Sequence, residues 1–183
     1  MPMVSEPEML PVAGARAGDA RSWDALFRRY QLPLYVYVAE LIRHEQTSLD
    51  IVQETFVSAA RHIGTLREDG KFGSWLFGIA HQKCVQQWRR NRPEHAELDE
   101  ECDTADDEAE SPCELLVRRE DEDALMKLLH ELPPPQRSVL LLHFIEDFSL
   151  EEIAEATGAA LGTVKSRIHY AKRALRKLLE EQI

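Results

Sequence analysis

Seven polar or basic residues near the end of the chain share one side of a helix. At about 100° per residue, Lys165, Ser166, His169, Tyr170, Arg173, Arg176 and Lys177 project to one side. Val164, Ile168, Ala171, Leu175, Leu178 and Leu179 project to the other. The first set supplies positive charge, N–H and hydroxyl donors, which suit phosphate oxygens and the edges of bases. A solvated helix face carries the same residue types. Arg167 lies beside the apolar arc, where packing or pairing is as natural as binding.

The chain around this helix is acidic, with a net charge of −11 over 183 residues. The acid is concentrated: fifteen of the 33 Asp and Glu residues, but only Arg118 and Arg119 among the basic ones, lie between Glu94 and Asp123. That stretch carries about −13, so the remainder is close to neutral. Residues 93–113, PEHAELDEECDTADDEAESPC, lack apolar periodicity and are bracketed by Pro93 and Pro112. Such composition predicts a disordered linker. It divides the chain into a flexible tail over 1–15, a domain over 16–92, the acidic linker over 93–113 and a second domain over 114–183. As a mobile polyanion, the linker is expected to compete with DNA for the basic faces when the chain is alone.

Enzyme chemistry finds little support. His44-Glu45 is not followed by the second histidine of a zinc-protease pattern, and Gly73-Ser74-Trp75 lacks the closing glycine of a nucleophile elbow. No glycine-rich phosphate cradle is present. Cys84, Cys102 and Cys113 show no C-x-x-C spacing, which argues for a reducing cytoplasm and against a disulfide framework. His95, Cys102 and Cys113 are too loosely spaced to read as a zinc site, so neither metal nor cofactor is expected. No run approaches the ~18 apolar residues of a membrane span, and MPMVSEPEMLPVAGARAGDA lacks the basic start and apolar core of a secretory signal.

The elements that must position these side chains read as helices throughout. Asp19 caps a helix carrying Trp23, Leu26, Phe27 and Tyr30, and Pro33 opens another with Leu34, Tyr35, Val38, Leu41 and Ile42. Thr47 or Ser48 caps a third, with Leu49, Val52, Phe56 and Ala60 on its apolar face. The glycines of LREDGKFGS break the pattern before WLFGIAHQKCVQQWRRNR. In the second half, LLVRREDEDALMKLLHEL stops at Pro133–Pro135 and QRSVLLLHFIED follows. Ser149 and Glu152 form a capping box on SLEEIAEAT, Gly158 turns the chain, and the basic helix comes next, with Thr163 available to cap it. A short helix, a glycine turn and a second helix with basic outward residues make a helix-turn-helix. The predicted fold is all-α, with two small helical domains.

Two stretches carry a family resemblance: SLDIVQETFVSAARHI with the downstream FGSWLFGIA, and ELPPPQRSVLLLHFIEDFSLEEIAEATGAALGTVKSRIHYAKRALRKLL. Together with ALFRRY, in this order and at this separation, they resemble the bacterial sigma factors of the extracytoplasmic-function group. The resemblance implies a transcription initiation factor working with core RNA polymerase on double-stranded and melted promoter DNA. It implies that Asp50, Gln53 and Glu54 dock on polymerase. It implies that Lys71, Phe72, Ser74, Trp75, Arg89 and Arg90 serve the −10 element, and that Lys165, Ser166, Arg167, His169, Tyr170 and Arg173 read the −35 element. An anti-sigma factor is a further candidate partner, and the cytoplasm is the expected location. Where the family commonly shows an Arg-Asn pair and a later Asp, this chain has His81, Gln82 and Gln86. Two alternatives stand beside this reading: an ordinary dimeric helix-turn-helix regulator, which would not need the first domain, and a sigma-like protein that binds polymerase but opens no promoter.

Overall fold

A computed structural model describes residues 10–90 and 129–180. All regular structure among these residues is helical. The acidic segment 93–113, Arg92, residues 115–128 of the helix expected over 115–132, and the first nine residues lie outside the described residues. Two compact units divide at Arg90.

The first unit contains α1 (Val12–Arg16), α2 (Ala20–Ile42), α3 (Glu45–His62) and α4 (Phe72–Arg90), with short 3₁₀ turns at Ile63–Thr65 and Asp69–Lys71. Residues 12–15, read from sequence as the end of a tail, are helical, with Val12 and Ala15 buried. Asp19 caps α2: its Oδ2 accepts from the Ser22 N–H at 2.9 Å and the Ser22 hydroxyl at 2.6 Å. These hydrogen bonds lower the Asp19 pKa. The expected break at Pro33 does not occur, because α2 runs through it. Proline removes one backbone hydrogen bond, but Leu26, Tyr30, Leu34, Tyr37, Val38 and Leu41 form one buried stripe across it, and that burial outweighs the loss.

The cap of α3 is His44 rather than Thr47 or Ser48; its Nδ1 accepts from the Thr47 N–H at 3.2 Å. The buried face of α3 also differs from expectation. Ser48, Ile51, Val52, Thr55 and Ala59 face inward, while Leu49 and Ala60 are exposed. The reason is local. Ser48 donates to the His44 carbonyl at 2.9 Å and Thr55 to the Ile51 carbonyl at 2.7 Å. With their hydroxyls satisfied inside the helix, both present little more than carbon to the core. Helix α4 starts at Phe72, three residues before the expected Trp75. Phe77 packs edge-on against Tyr37 at 5.4 Å, and the Tyr37 hydroxyl lies 2.9 Å from Nδ1 of buried His81. Cys84 is enclosed beside them, and burial pushes its thiol up to about 12, which makes it inert near neutral pH.

The second unit contains α5 (Pro134–Glu146), α6 (Leu150–Thr157) and α7 (Leu161–Glu180). Val139 to Leu142 are all buried, so α5 is enclosed on several sides, and Leu129, Leu132, Phe148, Ile153, Ala156, Val164, Ile168 and Ala171 are buried with them. The capping box is present: the Glu152 N–H donates to Ser149 Oγ at 3.2 Å, and the Ser149 N–H to Glu152 Oε2 at 2.9 Å. Gly158 closes α6 at φ 69°, a left-handed position that glycine occupies without a Cβ clash.

Arg137 is buried at 5% exposure, and its guanidinium donates to the carbonyls of Leu129, His130 and Leu132 at 2.9–3.0 Å. It therefore caps the end of the helical segment before Pro133. Replacing it leaves buried carbonyls without donors. Arg137→Met is expected to destabilise the second unit by about 2–4 kcal/mol. Hydrogen exchange on the full chain checks this: amides of α5 to α7 should lose protection while those of α2 to α4 keep theirs.

Candidate nucleic-acid interface

Helix α7 separates its two faces as the periodicity predicts. Val164, Ile168 and Ala171 are buried, whereas Lys165, His169, Arg173, Arg176 and Lys177 are exposed. Ser166, Arg167 and Tyr170 lie half-buried at the edges, and the rings of His169 and Tyr170 meet edge-on at 5.6 Å. Lys172 is also half-buried, and loss of water lowers its pKa. The helix starts at Leu161, before Thr163, and the Val164 N–H donates to the Ala160 carbonyl at 3.0 Å. Leu161 and Gly162 are exposed on this first turn. Sequence reasoning did not select them, since neither carries a polar group. In a helix-turn-helix the first turns of the second helix enter the major groove.

A second surface lies on α3. Asp50, Gln53 and Glu54 are all exposed. The Gln46 amide donates to Asp50 at 3.1 Å, and Lys83 of α4 donates to Glu54 at 3.2 Å. Leu49 and Val57, 46% and 45% exposed, flank them four residues to either side of Gln53. Apolar side chains beside fixed charges on one exposed helix face suit a protein partner better than water alone. Sequence reasoning missed Leu49 because Ser48 and Thr55 were counted as polar.

The third set does not come together as expected. Phe72 is fully buried, with its ring 5.5 Å from Tyr30, 5.8 Å from Trp75 and 6.4 Å from Trp23. Ser74 is 4% exposed and donates to the Lys71 carbonyl at 3.2 Å. Both therefore support the loop from inside instead of offering a face to a base. Lys71 and Trp75 are half-buried and remain reachable, and Arg89 and Arg90 are exposed at the end of α4. Trp75 also lines a surface depression of about 320 Å³ between α3 and α4, together with His62, Ile79, Gln82, Lys83 and Gln86. A flat ring, two amides and an ammonium give stacking and donor–acceptor groups of the kind that hold a single unpaired base. The two glutamines share one face of α4 at i, i+4 spacing, which was readable in the sequence. Among the described residues no His/Cys/Asp/Glu cluster could hold a metal ion, and no helix is long and apolar enough to cross a membrane.

Two helical units, one of them a helix-turn-helix with a basic outer face, fit a DNA-binding protein. Residues 26–94 match the family model for sigma-70 region 2, and residues 122–175 match that for sigma-70 region 4. The chain belongs to the sigma-70 family, and its relatives place it in the extracytoplasmic-function group. It is 30% identical to the RNA polymerase sigma-H factor of Pseudomonas aeruginosa, over 97% of this chain and 96% of that protein. It is 32% identical to the sigma factor SigM of Mycobacterium tuberculosis, over 96% of this chain and 85% of that one. Among solved structures, CnrH in complex with the cytosolic domain of CnrY shares the fold, with a TM-score of 0.68 at 23% identity, covering 97% of this chain and all of that one. RpoE of Bartonella quintana, in complex with the anti-sigma factor NepR, gives 0.63 at 25% identity, covering 85% and 96%. The protein is a sigma factor that directs core RNA polymerase to promoters, and both matched regions recognise DNA.

The exposed cations of α7 make a direct prediction. Lys165→Ala and Arg173→Ala should each weaken binding to duplex DNA. Where the lost contact is to phosphate, the slope of log affinity against log salt becomes shallower by about 0.9. Where it is to a base, discrimination at one position falls by about 1–3 kcal/mol. Unchanged affinity and slope in both variants would remove this face from the DNA.

Proposed function

We propose how individual residues divide the work of this sigma factor. Residues 16–92 act as the polymerase-docking and promoter-melting domain, 93–113 as an acidic tether and 114–183 as the −35 domain. Asp50, Gln53 and Glu54, flanked by Leu49 and Val57, dock on core polymerase. Lys71, Trp75, Arg89 and Arg90 face the −10 element, with Phe72 and Ser74 supporting the loop from the core. Lys165, Ser166, Arg167, His169, Tyr170 and Arg173 face the −35 element. The observation that carries this reading is the division of α7, with Lys165, His169 and Arg173 exposed opposite buried Val164, Ile168 and Ala171.

The protein makes and breaks no covalent bonds itself; the chemistry belongs to the polymerase, and the place of action is the cytoplasm. The Bartonella quintana structure pairs its sigma factor with an anti-sigma factor. An anti-sigma factor is a partner of this chain too, covering the faces that polymerase and promoter would otherwise use.

Transcription reconstituted from the full chain and core polymerase on a promoter library tests the assignment. The parent should give initiation that depends on both elements. Asp50→Lys should weaken core binding by about 2–5 kcal/mol, the cost of disrupting a buried interfacial charge, while the thermal melt of the free protein stays where it was. Core binding equal to the parent's would take Asp50 out of the interface. DNA binding that needs no polymerase, by a dimer, would favour the ordinary regulator instead.

A further inference from the structure

The loop joining α3 to α4 is anchored at both ends. Leu66 is buried at one end and Phe72 at the other. Between them Arg67, Glu68 and Gly70 are exposed, and a side chain added at Gly70 would meet nothing within 4 Å. The middle of this arc is fastened from elsewhere in the chain. Arg16, the last residue of α1, donates from Nη2 to the Leu66 carbonyl at 3.1 Å and from the same nitrogen to Asp69 Oδ1 at 2.7 Å. That nitrogen carries two protons, so one goes to each acceptor. Helix α1 is itself fixed. Val12 and Ala15 are buried, and the indole N–H of Trp23 in α2 donates to the Ala15 carbonyl at 3.0 Å. A continuous path of contacts thus runs from α2 through Trp23 and α1 to Arg16, and from Arg16 to the loop.

We propose that Arg16 is a positioning residue for −10 recognition, holding the 66–71 arc in the shape that receives an unpaired base beside Trp75. This rests on the assignment above of the loop to the −10 element. The physical reason is preorganisation. A free arc must lose conformational entropy when a base arrives, whereas an arc already fastened binds without that cost. The pair is partly exposed, with side chains at 36% and 44%. Such pairs contribute little to global stability, so the effect of losing Arg16 falls on recognition and leaves folding nearly unchanged. A lysine keeps the charge, but its ammonium sits on a flexible stem instead of a rigid planar group, so it holds the two acceptors less firmly.

The test uses holoenzyme assembled from core polymerase and the full-length parent, Arg16→Lys, Arg16→Ala or Arg16→Glu. Initiation is measured on promoters varied one base at a time in the −10 element and, separately, in the −35 element. Arg16→Ala should reduce the preference for the best −10 base by about three- to tenfold. Arg16→Glu, which repels Asp69, should reduce it further, and Arg16→Lys should fall between Ala and the parent. Preference at −35, affinity for core and the thermal melt should stay at parental values. Undiminished −10 preference in both Ala and Glu variants overturns the proposal. So does a loss that spreads equally to −35 preference and core binding, which would mark a general structural defect. A parent holoenzyme without any −10 preference would instead sink the assignment of the loop itself.

Discussion

The buried ring of Phe72 is the contact on which the first unit depends. It stands at the first position of α4, fully removed from water, against Tyr30 and Trp23 of α2 and Trp75 one turn further on. Burying an aromatic ring of this size contributes roughly 1.5–3 kcal/mol, and edge-to-face neighbours add to it. The consequence is geometric as well as energetic. With Phe72 held, the start of α4 is fixed against α2. Trp75 is brought to the rim of the α3–α4 depression, and the loop before it can only bow outward between Leu66 and Phe72. One of the two aromatic rings expected at the −10 element is thus part of the core that holds the loop in place.

The same economy governs the polar groups. No buried side-chain nitrogen or oxygen among the described residues lacks a hydrogen-bond partner. Ser48 and Thr55 return their hydroxyls to their own helix, Arg137 takes up three carbonyls, and the Trp88 indole donates to the Leu41 carbonyl at 3.2 Å. Interiors this small have little apolar surplus with which to tolerate an unpaired polar atom. Satisfying these groups inward leaves charged residues of α3 and α7 on the outside.

Those outward faces differ in chemistry, in keeping with the different partners proposed for them. On α3, Asp50, Gln53 and Glu54 lie between the exposed aliphatic groups of Leu49 and Val57, the mixture of a protein–protein contact. On α7 the exposed groups are cations and donors, which match phosphate and base edges. Between Glu94 and Asp123 the chain carries fifteen of its 33 acidic residues and only two of its basic ones. The net charge therefore hides the DNA-binding character of the parts.

Helix content, the helix-turn-helix and the two faces of α7 were legible in the amino-acid sequence. Each depends on residues no more than four apart: the spacing of Val164, Ile168 and Ala171, the Ser149–Glu152 box and the turn at Gly158. The motifs around Asp50–Phe56 and Gly162–Arg167, by their order and separation along the chain, added the family. Tertiary structure alone decided that Phe72 and Ser74 face inward, that α3 is rotated to expose Leu49, that α2 continues through Pro33, and that Arg16 reaches Asp69 across 53 positions of chain. The physical reason is that a helix's periodicity is written in its own sequence. Which way a loop aromatic turns, and which of two near-equal faces is buried, depend on side chains that only the folded chain brings alongside.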